Sequence, residues 1–198
     1  MKWVIGIDEV GRGPLAGPVY VCAVAMPVKN YKKMEWGVLN DSKQMSVGNR
    51  ELWHGEARGI EKRGELKIAV SHRTAAAIDR NGIAVCIREC IAESLEKLHI
   101  DPKECAVLLD GSLKAPLQYK HQTTIIKGDS KEKIISLASV VAKVERDHYL
   151  IALSKKHPVY SWDKNKGYGT KIHIAAIKKQ GITPLHRQTF LRKLLQQK

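Results

Sequence analysis

Aromatic side chains are scarce, at 6% of 198 residues with a single Phe. Stacking unpaired bases needs a series of such rings, so single-strand binding is not the expected mode of recognition. No apolar run approaches the ~20 residues of a membrane-spanning helix. The first residues, one Lys and five uncharged side chains before Asp8 and Glu9, predict no secretory leader. There is no Walker A motif, and no Gly-x-Gly-x-x-Gly opening a helix. The four cysteines (Cys22, Cys86, Cys90, Cys105) form no Cys-x-x-Cys pair and sit in apolar contexts. They are expected to be buried free thiols of a cytoplasmic protein rather than a disulfide framework. The eight histidines show no zinc-ligand spacing, and His121, His148, His157 and His186 are expected at the surface. Trp3, Trp36, Trp53 and Trp162 show no stacking pattern.

Positive charge is what the chain has in excess, with 34 Lys and Arg against 20 Asp and Glu. Most of the surplus lies in residues 154–198, which carry eleven basic residues and one acid, Asp163. Such a block suits a polyanion, with nucleic acid the leading class, or else a solvated face. Hydrophobic residues reach 43%, enough for a core, and the length suits one domain over 1–198 with a basic helical C-terminal part from about 154.

Lys2–Ile7, Val19–Met26, Leu66–Ser71, Ala106–Leu109 and Thr123–Ile126 read as strands. Helical spacing marks Ser46 to about Lys62, Ile83–Leu98, Lys131–Leu150, Thr170–Lys179 and Gln188–Leu195. Strands come first and then alternate with helices, which favours a mixed central sheet flanked by helices.

Asp8, Asp110 and Asp129 each follow an apolar strand-like run, with Glu9 beside the first. Strands of one sheet ending at a common edge would bring these carboxylates together. Clustered carboxylates repel one another unless a cation neutralises them. Oxygen ligands at close quarters suit Mg²⁺ or Mn²⁺, the apparatus of two-metal phosphodiester hydrolysis. Taken singly, each Asp is equally a turn residue, and Asp110-Gly111 is a good turn dipeptide. Between Glu9 and Pro14, Gly11-Arg12-Gly13 lets the backbone approach a ligand closely and exposes amide groups.

These residues carry a resemblance. The run Gly6-Ile7-Asp8-Glu9-Val10-Gly11-Arg12-Gly13-Pro14-Leu15-Ala16-Gly17-Pro18-Val19 closely resembles the signature of the type 2 ribonucleases H, the ribonuclease HII family. Asp41-Ser42-Lys43 with Arg50-Glu51-Leu52, Ile78-Asp79-Arg80-Asn81-Gly82-Ile83, Leu109-Asp110-Gly111 and Lys127-Gly128-Asp129 are similar to its later segments in the same order. So are Ala138 to Asp147, Gly167-Tyr168-Gly169-Thr170 with His173, and His186-Arg187-Gln188-Thr189-Phe190. Gly169 departs from the family's usual Pro.

The resemblance implies an α/β ribonuclease H-like fold with a C-terminal helical extension. It implies cleavage of the RNA strand of RNA–DNA hybrids and incision 5′ of a single ribonucleotide in duplex DNA, leaving 3′-hydroxyl and 5′-phosphate ends. Asp8, Glu9, Asp110 and Asp129 would hold two Mg²⁺ or Mn²⁺ ions. Gly11, Arg12 and Gly13 would contact the 2′-hydroxyl and adjacent phosphate, and Tyr168 would pack on the following deoxyribose. Lys43 is a candidate phosphate ligand or a plain surface Lys. Lys143 and Arg146 would reach phosphate, or pair with Glu145 and Asp147 on their own helix. Asp147 is the rival fourth metal ligand, with a salt bridge its expected role. The partners implied are RNA–DNA hybrids and ribonucleotide-containing DNA, read by a monomer with no membrane contact. Gln188-x-x-Leu191-x-x-Leu194-Leu195 faintly resembles a sliding-clamp motif without its paired aromatics, and a packing helix is the expected reading. A DNA-only nuclease or strand-transfer enzyme could share the fold and acids, but Gly11-Arg12-Gly13 and Tyr168 argue against it. A non-enzymatic nucleic-acid binder would need a broken acid set.

Overall fold

A computed structural model describes residues 1–37, 39, 42 and 44–196, with side chains to residue 192. Five strands form one mixed sheet in the order β3-β2-β1-β4-β5. They are β1 (Trp3–Val10), β2 (Val19–Pro27), β3 (Lys67–Arg73), β4 (Cys105–Asp110) and β5 (Gln122–Ile125). β2 pairs antiparallel with β1 and β3, whereas β1, β4 and β5 are mutually parallel. All five expected strands therefore form, with ends shifted by up to three residues.

Helices cover both faces. Strand alternation sends Ile5, Ile7, Val21, Ala23, Val107 and Leu109 to one face, under α3 (Ala75–Asn81) and α4 (Ile83–Lys97). Val4, Cys22, Val24 and Met26 face the other way, against α2 (Val47–Lys62) and the long α6 (Lys133–Lys156). Ser46 caps α2 by accepting from the Asn49 amide at 3.1 Å. All four cysteines are buried free thiols. The short α1 (Val28–Lys33) and α5 (Gly128–Lys131) join elements, and α7 (Trp162–Asn165), α8 (Lys171–Gln180) and α9 (Gln188–Gln196) build the C-terminal part. That part has its own core of Ala16, Leu150, Tyr160, Trp162, Ile177 and Leu191.

One glycine fixes how closely α6 lies on the sheet. A Cβ at Gly6 would stand 2.4 Å from the backbone carbonyl of Ile134. Only a residue without a side chain lets the start of α6 cross β1 there, two residues before Asp8. No helix among the described residues is long and apolar enough to cross a membrane.

Candidate active site

Because β1, β4 and β5 are parallel, their C-terminal ends share one edge. Register Ile7–Leu109 places Asp8 beside Asp110, both on the face that meets α6. Asp129 enters from α5, just past β5. One carboxylate oxygen from each of Asp8, Asp110 and Asp129 lies within 4.8 Å of the others. Backbone amides hold two of them: Asp8 Oδ1 accepts from the Glu9 amide at 2.7 Å and Asp110 Oδ1 from the Gly128 amide at 2.6 Å. From α6, Ser139 lies close enough to Asp8 to lower its pKa, and Ser136 donates to the Asp129 carbonyl. Ser139 in turn contacts Ser42 at 2.8 Å.

Glu9 is outside this triad, since successive strand residues point to opposite faces. Its Oε1 accepts from Arg12 at 3.2 Å, and its Oε2 is buried without a hydrogen-bond partner among the described residues. Burial, then Glu9 and Asp110, push the Asp8 pKa well above its ordinary value. Burial also raises Glu9, against the pull of Arg12. Buried carboxylates facing one another with an orphaned oxygen beside them are destabilised as anions until a cation arrives. Hard oxygen donors suit a divalent ion such as Mg²⁺ or Mn²⁺.

Beyond the acids, the loop of residues 11–18 is tied down almost everywhere. The Leu15 and Ala16 amides donate to the Gly167 carbonyl at 2.8 and 3.2 Å, and the Gly17 amide to Leu185 at 2.8 Å. Arg146, expected near phosphate or an acid of its own helix, is fully buried instead. Its guanidinium donates to the carbonyls of Pro18, Lys166 and Ala16 at 2.9, 3.0 and 3.3 Å. Gly11, at φ +88°, lies against it: a Cβ there would meet Arg146 Nε at 2.2 Å. Lys143 pairs with Asp147 at 2.8 Å, while Glu145 joins α6 to His54 and Arg58 of α2. Lys43 lies outside the described residues. Tyr168 is 42% exposed, and its backbone amide donates a hydrogen bond to the Asn165 carbonyl at 2.9 Å.

A family model described as Ribonuclease HII matches residues 5–195. The chain belongs to the ribonuclease HII family. A Ribonuclease HII of Clostridium perfringens is 40% identical over 194 residues, covering 98% of this chain and 68% of the relative. The solved ribonuclease H2 of Pyrococcus horikoshii superposes with a TM-score of 0.74 at 26% identity, over 97% of this chain and 96% of that one. The RNase HII in a PCNA complex from Archaeoglobus fulgidus gives 0.72 at 25% identity over 93% of each chain. The protein is thus a metal-dependent endoribonuclease that degrades RNA paired with DNA.

Within this ribonuclease HII chain, the C-terminal core corrects two expectations. His186 is not a surface residue but 1% exposed. Trp162 does stack, on Tyr160 at 5.1 Å between centroids and 14° between planes. His173 donates from Nδ1 to the Tyr168 carbonyl at 2.9 Å, and its Nε2 accepts from Trp162 Nε1 at 3.0 Å. His186 stands 3.2 Å from the same Nε2, while its Nδ1 accepts from the Thr183 amide at 3.0 Å. Burial lowers the pKa of both rings, His186 to about 4, so both are neutral and the chain of bonds is complete. Tyr168 is held this way although Gly169, not Pro, follows it.

Sequence reasoning gave no role to Asp79, Ser139, His173 or Arg187. Asp79 accepts from the amides of Gln188 and Thr189 at 2.8 and 2.9 Å, capping α9 from α3. In α9, Leu191 is fully buried, so the clamp-like motif turns it inward. The side chains of Leu194 and Leu195 lie outside the described residues.

Proposed function

We propose that the protein incises 5′ of a single ribonucleotide embedded in duplex DNA, besides cutting the RNA strand of hybrids. Asp8, Asp110 and Asp129, with Glu9 alongside, would hold two divalent ions. Bound there, Mg²⁺ or Mn²⁺ supplies activation of the attacking water and charge neutralisation at the departing 3′ oxygen. Water adds to phosphorus in line, the P–O3′ bond to the preceding nucleotide breaks, and the products are a 3′-hydroxyl and a 5′-phosphate. The residues of this chain fix where the bond lies. Ser139 and the Glu9 and Gly128 amides orient the carboxylates. Gly11 to Gly13 and Tyr168 face the sugar and phosphate of the ribonucleotide and its 3′ neighbour, and Lys143 would reach a backbone phosphate only by leaving its ion pair with Asp147. Asp147 is occupied by Lys143, which favours Asp129 over it as a metal ligand. Residues 1–198 act as one catalytic domain, since the C-terminal core packs on the loop of residues 11–18.

The observation that carries this reading is the close Asp8–Asp110–Asp129 cluster, with Asp8 and Asp129 buried and a Glu9 oxygen beside it that has no hydrogen-bond partner among the described residues. The test is a labelled duplex with one ribonucleotide, incubated with Mg²⁺ or Mn²⁺ beside an all-DNA control. One cut 5′ of the ribonucleotide, ending in a 3′-hydroxyl by mass spectrometry, is expected. Equal cutting of the all-DNA duplex would refute the reading.

A further inference from the structure

Two buried guanidiniums lie beneath the loop of residues 11–18, and neither has a carboxylate within ion-pair distance among the described residues. Both Arg146 and Arg187 are fully buried. Arg187 donates from Nε to the Gly17 carbonyl at 3.0 Å, from Nη1 to Arg12 at 2.9 Å and from Nη2 to Gly11 at 2.6 Å. Its own amide donates to the Leu15 carbonyl at 2.8 Å. With the three bonds from Arg146, the carbonyls of residues 11, 12, 15, 16, 17 and 18 are all turned toward these two arginines.

That arrangement has a consequence for the opposite side of the loop. All peptide bonds are trans, so each C=O and the N–H of the next residue point in opposite directions. The Gly11 and Arg12 carbonyls point inward at Arg187, and the Arg12 and Gly13 amides therefore point outward. Among the described residues neither amide donates to any protein group, whereas those of residues 15, 16 and 17 are all engaged. Both residues are exposed, and nothing lies within 4 Å of where a Gly13 Cβ would be. Two adjacent free amides over a buried positive floor make a seat for an anion. A guanidinium suits the floor because its planar fork fixes several acceptors at once and stays charged when buried.

We propose that Arg187, seconded by Arg146, is a positioning residue that aims the Arg12 and Gly13 amides at a phosphate of the substrate strand. This rests on the reading of Gly11 to Gly13 as the loop that meets the ribonucleotide. Arg187 touches no substrate; it works by holding two carbonyls on the far side of the loop. Arg→Lys keeps the charge but offers a point donor in place of the fork, so geometry and charge can be separated.

The experiment compares wild type, Arg187→Lys and Arg187→Gln on a duplex containing one ribonucleotide. Single-turnover rates in Mn²⁺, duplex affinity in Ca²⁺ and melting temperature are measured, all at a temperature where each variant is folded. A misplacement of ~1 Å costs roughly 10²-fold in rate, and that loss is expected in both variants. Duplex affinity should change by less than about threefold, the pattern of an interaction realised in the transition state. An unchanged rate in Arg187→Lys would overturn the proposal, as would a rate loss matched by an equal loss of affinity. Should neither variant fold, amide resonances of the wild type decide: those of Arg12 and Gly13 should shift on adding the duplex in Ca²⁺. Shifts in neighbouring residues but not in these two would overturn the proposal. Wild-type protein that cuts all-DNA duplex as fast would instead remove the underlying reading, whatever Arg187 does.

Discussion

The acid edge and the glycine loop are neighbours along β1, yet they concentrate opposite charges by opposite means. At the edge, side chains carry the chemistry: Asp8 and Asp110 at the ends of two parallel strands and Asp129 from the helix after the third bring their carboxylates together, and burial with neighbouring acids raises Asp8. In the loop, backbone amides face outward, and the charge is hidden beneath as two guanidiniums with no ion-paired acid among the described residues. The first arrangement attracts a cation and the second an anion. Each is unstable alone in a dry interior and is held by the fold around it. On the function proposed above, catalysis and selectivity rest on separable parts, and each part can be broken alone.

The largest effect is expected at the edge. Asp8→Asn or Asp110→Asn should lower metal-dependent cleavage by more than the ~10²–10³-fold of one lost electrostatic contact. Duplex affinity in Ca²⁺ should stay within a few-fold of wild type. Near-normal rates at saturating Mg²⁺ would show that the triad does not bind the metal.

Next come two glycines one residue apart. Gly11→Ala forces a side chain into Arg146 at a positive φ, so it should destabilise the protein by at least ~1–2 kcal/mol and lower its melting temperature. Gly13→Ala meets open space and should leave melting unchanged while slowing cleavage, because the new methyl stands where the substrate approaches. Calorimetry beside single-turnover rates separates the two, and full activity in Gly13→Ala would mean that the substrate does not come close there.

A smaller effect is expected from the basic C-terminal part. Neutralising Lys164, Lys166 and Lys171 together should flatten the slope of log affinity against log salt by up to ~3, at ~0.9 per phosphate contact. An unchanged slope would mark these residues as a solvated face.

The smallest is a stability effect with a definite sign. Asp8 and Glu9 titrate above their ordinary range in the folded protein. Their contribution favours folding at pH below the ordinary carboxylate pKa and is lost as pH rises through the raised values. Near neutral pH, Asp8→Asn should therefore melt higher than wild type without metal, by ~2–4 °C per kcal/mol of relieved repulsion. The gain should shrink in acid, and Mn²⁺ should raise the melting temperature of wild type more than that of the variant. A lower metal-free melting temperature for Asp8→Asn would contradict the repulsion.

How much of this was legible follows the same division. Strands and acids could be read because alternation and strand-ending Asp are local: β4 and Asp110 lie within one residue of where the pattern put them, and β1 runs three residues further than expected. The same alternation starts the Glu9 side chain on the other side of β1 from Asp8, so among the described residues it lies beside the three-Asp cluster and not within it. The loop's support was not legible. Arg187 and Arg146 reach carbonyls 128 to 176 residues away in sequence, and nothing next to a buried Arg distinguishes it from a surface one. His186 misled for that reason: its partners Trp162 and His173 arrive from α7 and α8, which nothing next to it in sequence indicates. The short α3, α5 and α7 were also missed, because one or two turns carry too few apolar repeats to register.

The most direct test of separable parts is one ratio: the single-turnover rate at a lone embedded ribonucleotide divided by that on a continuous RNA–DNA hybrid. It is measured for wild type, Asp129→Asn and Tyr168→Ala. Asp129→Asn should slow both substrates by the same factor and leave the ratio unchanged, whereas Tyr168→Ala should lower the ratio, since only the lone ribonucleotide presents the junction it reads. A ratio altered by Asp129→Asn and untouched by Tyr168→Ala would contradict the division of labour between the acid edge and the loop.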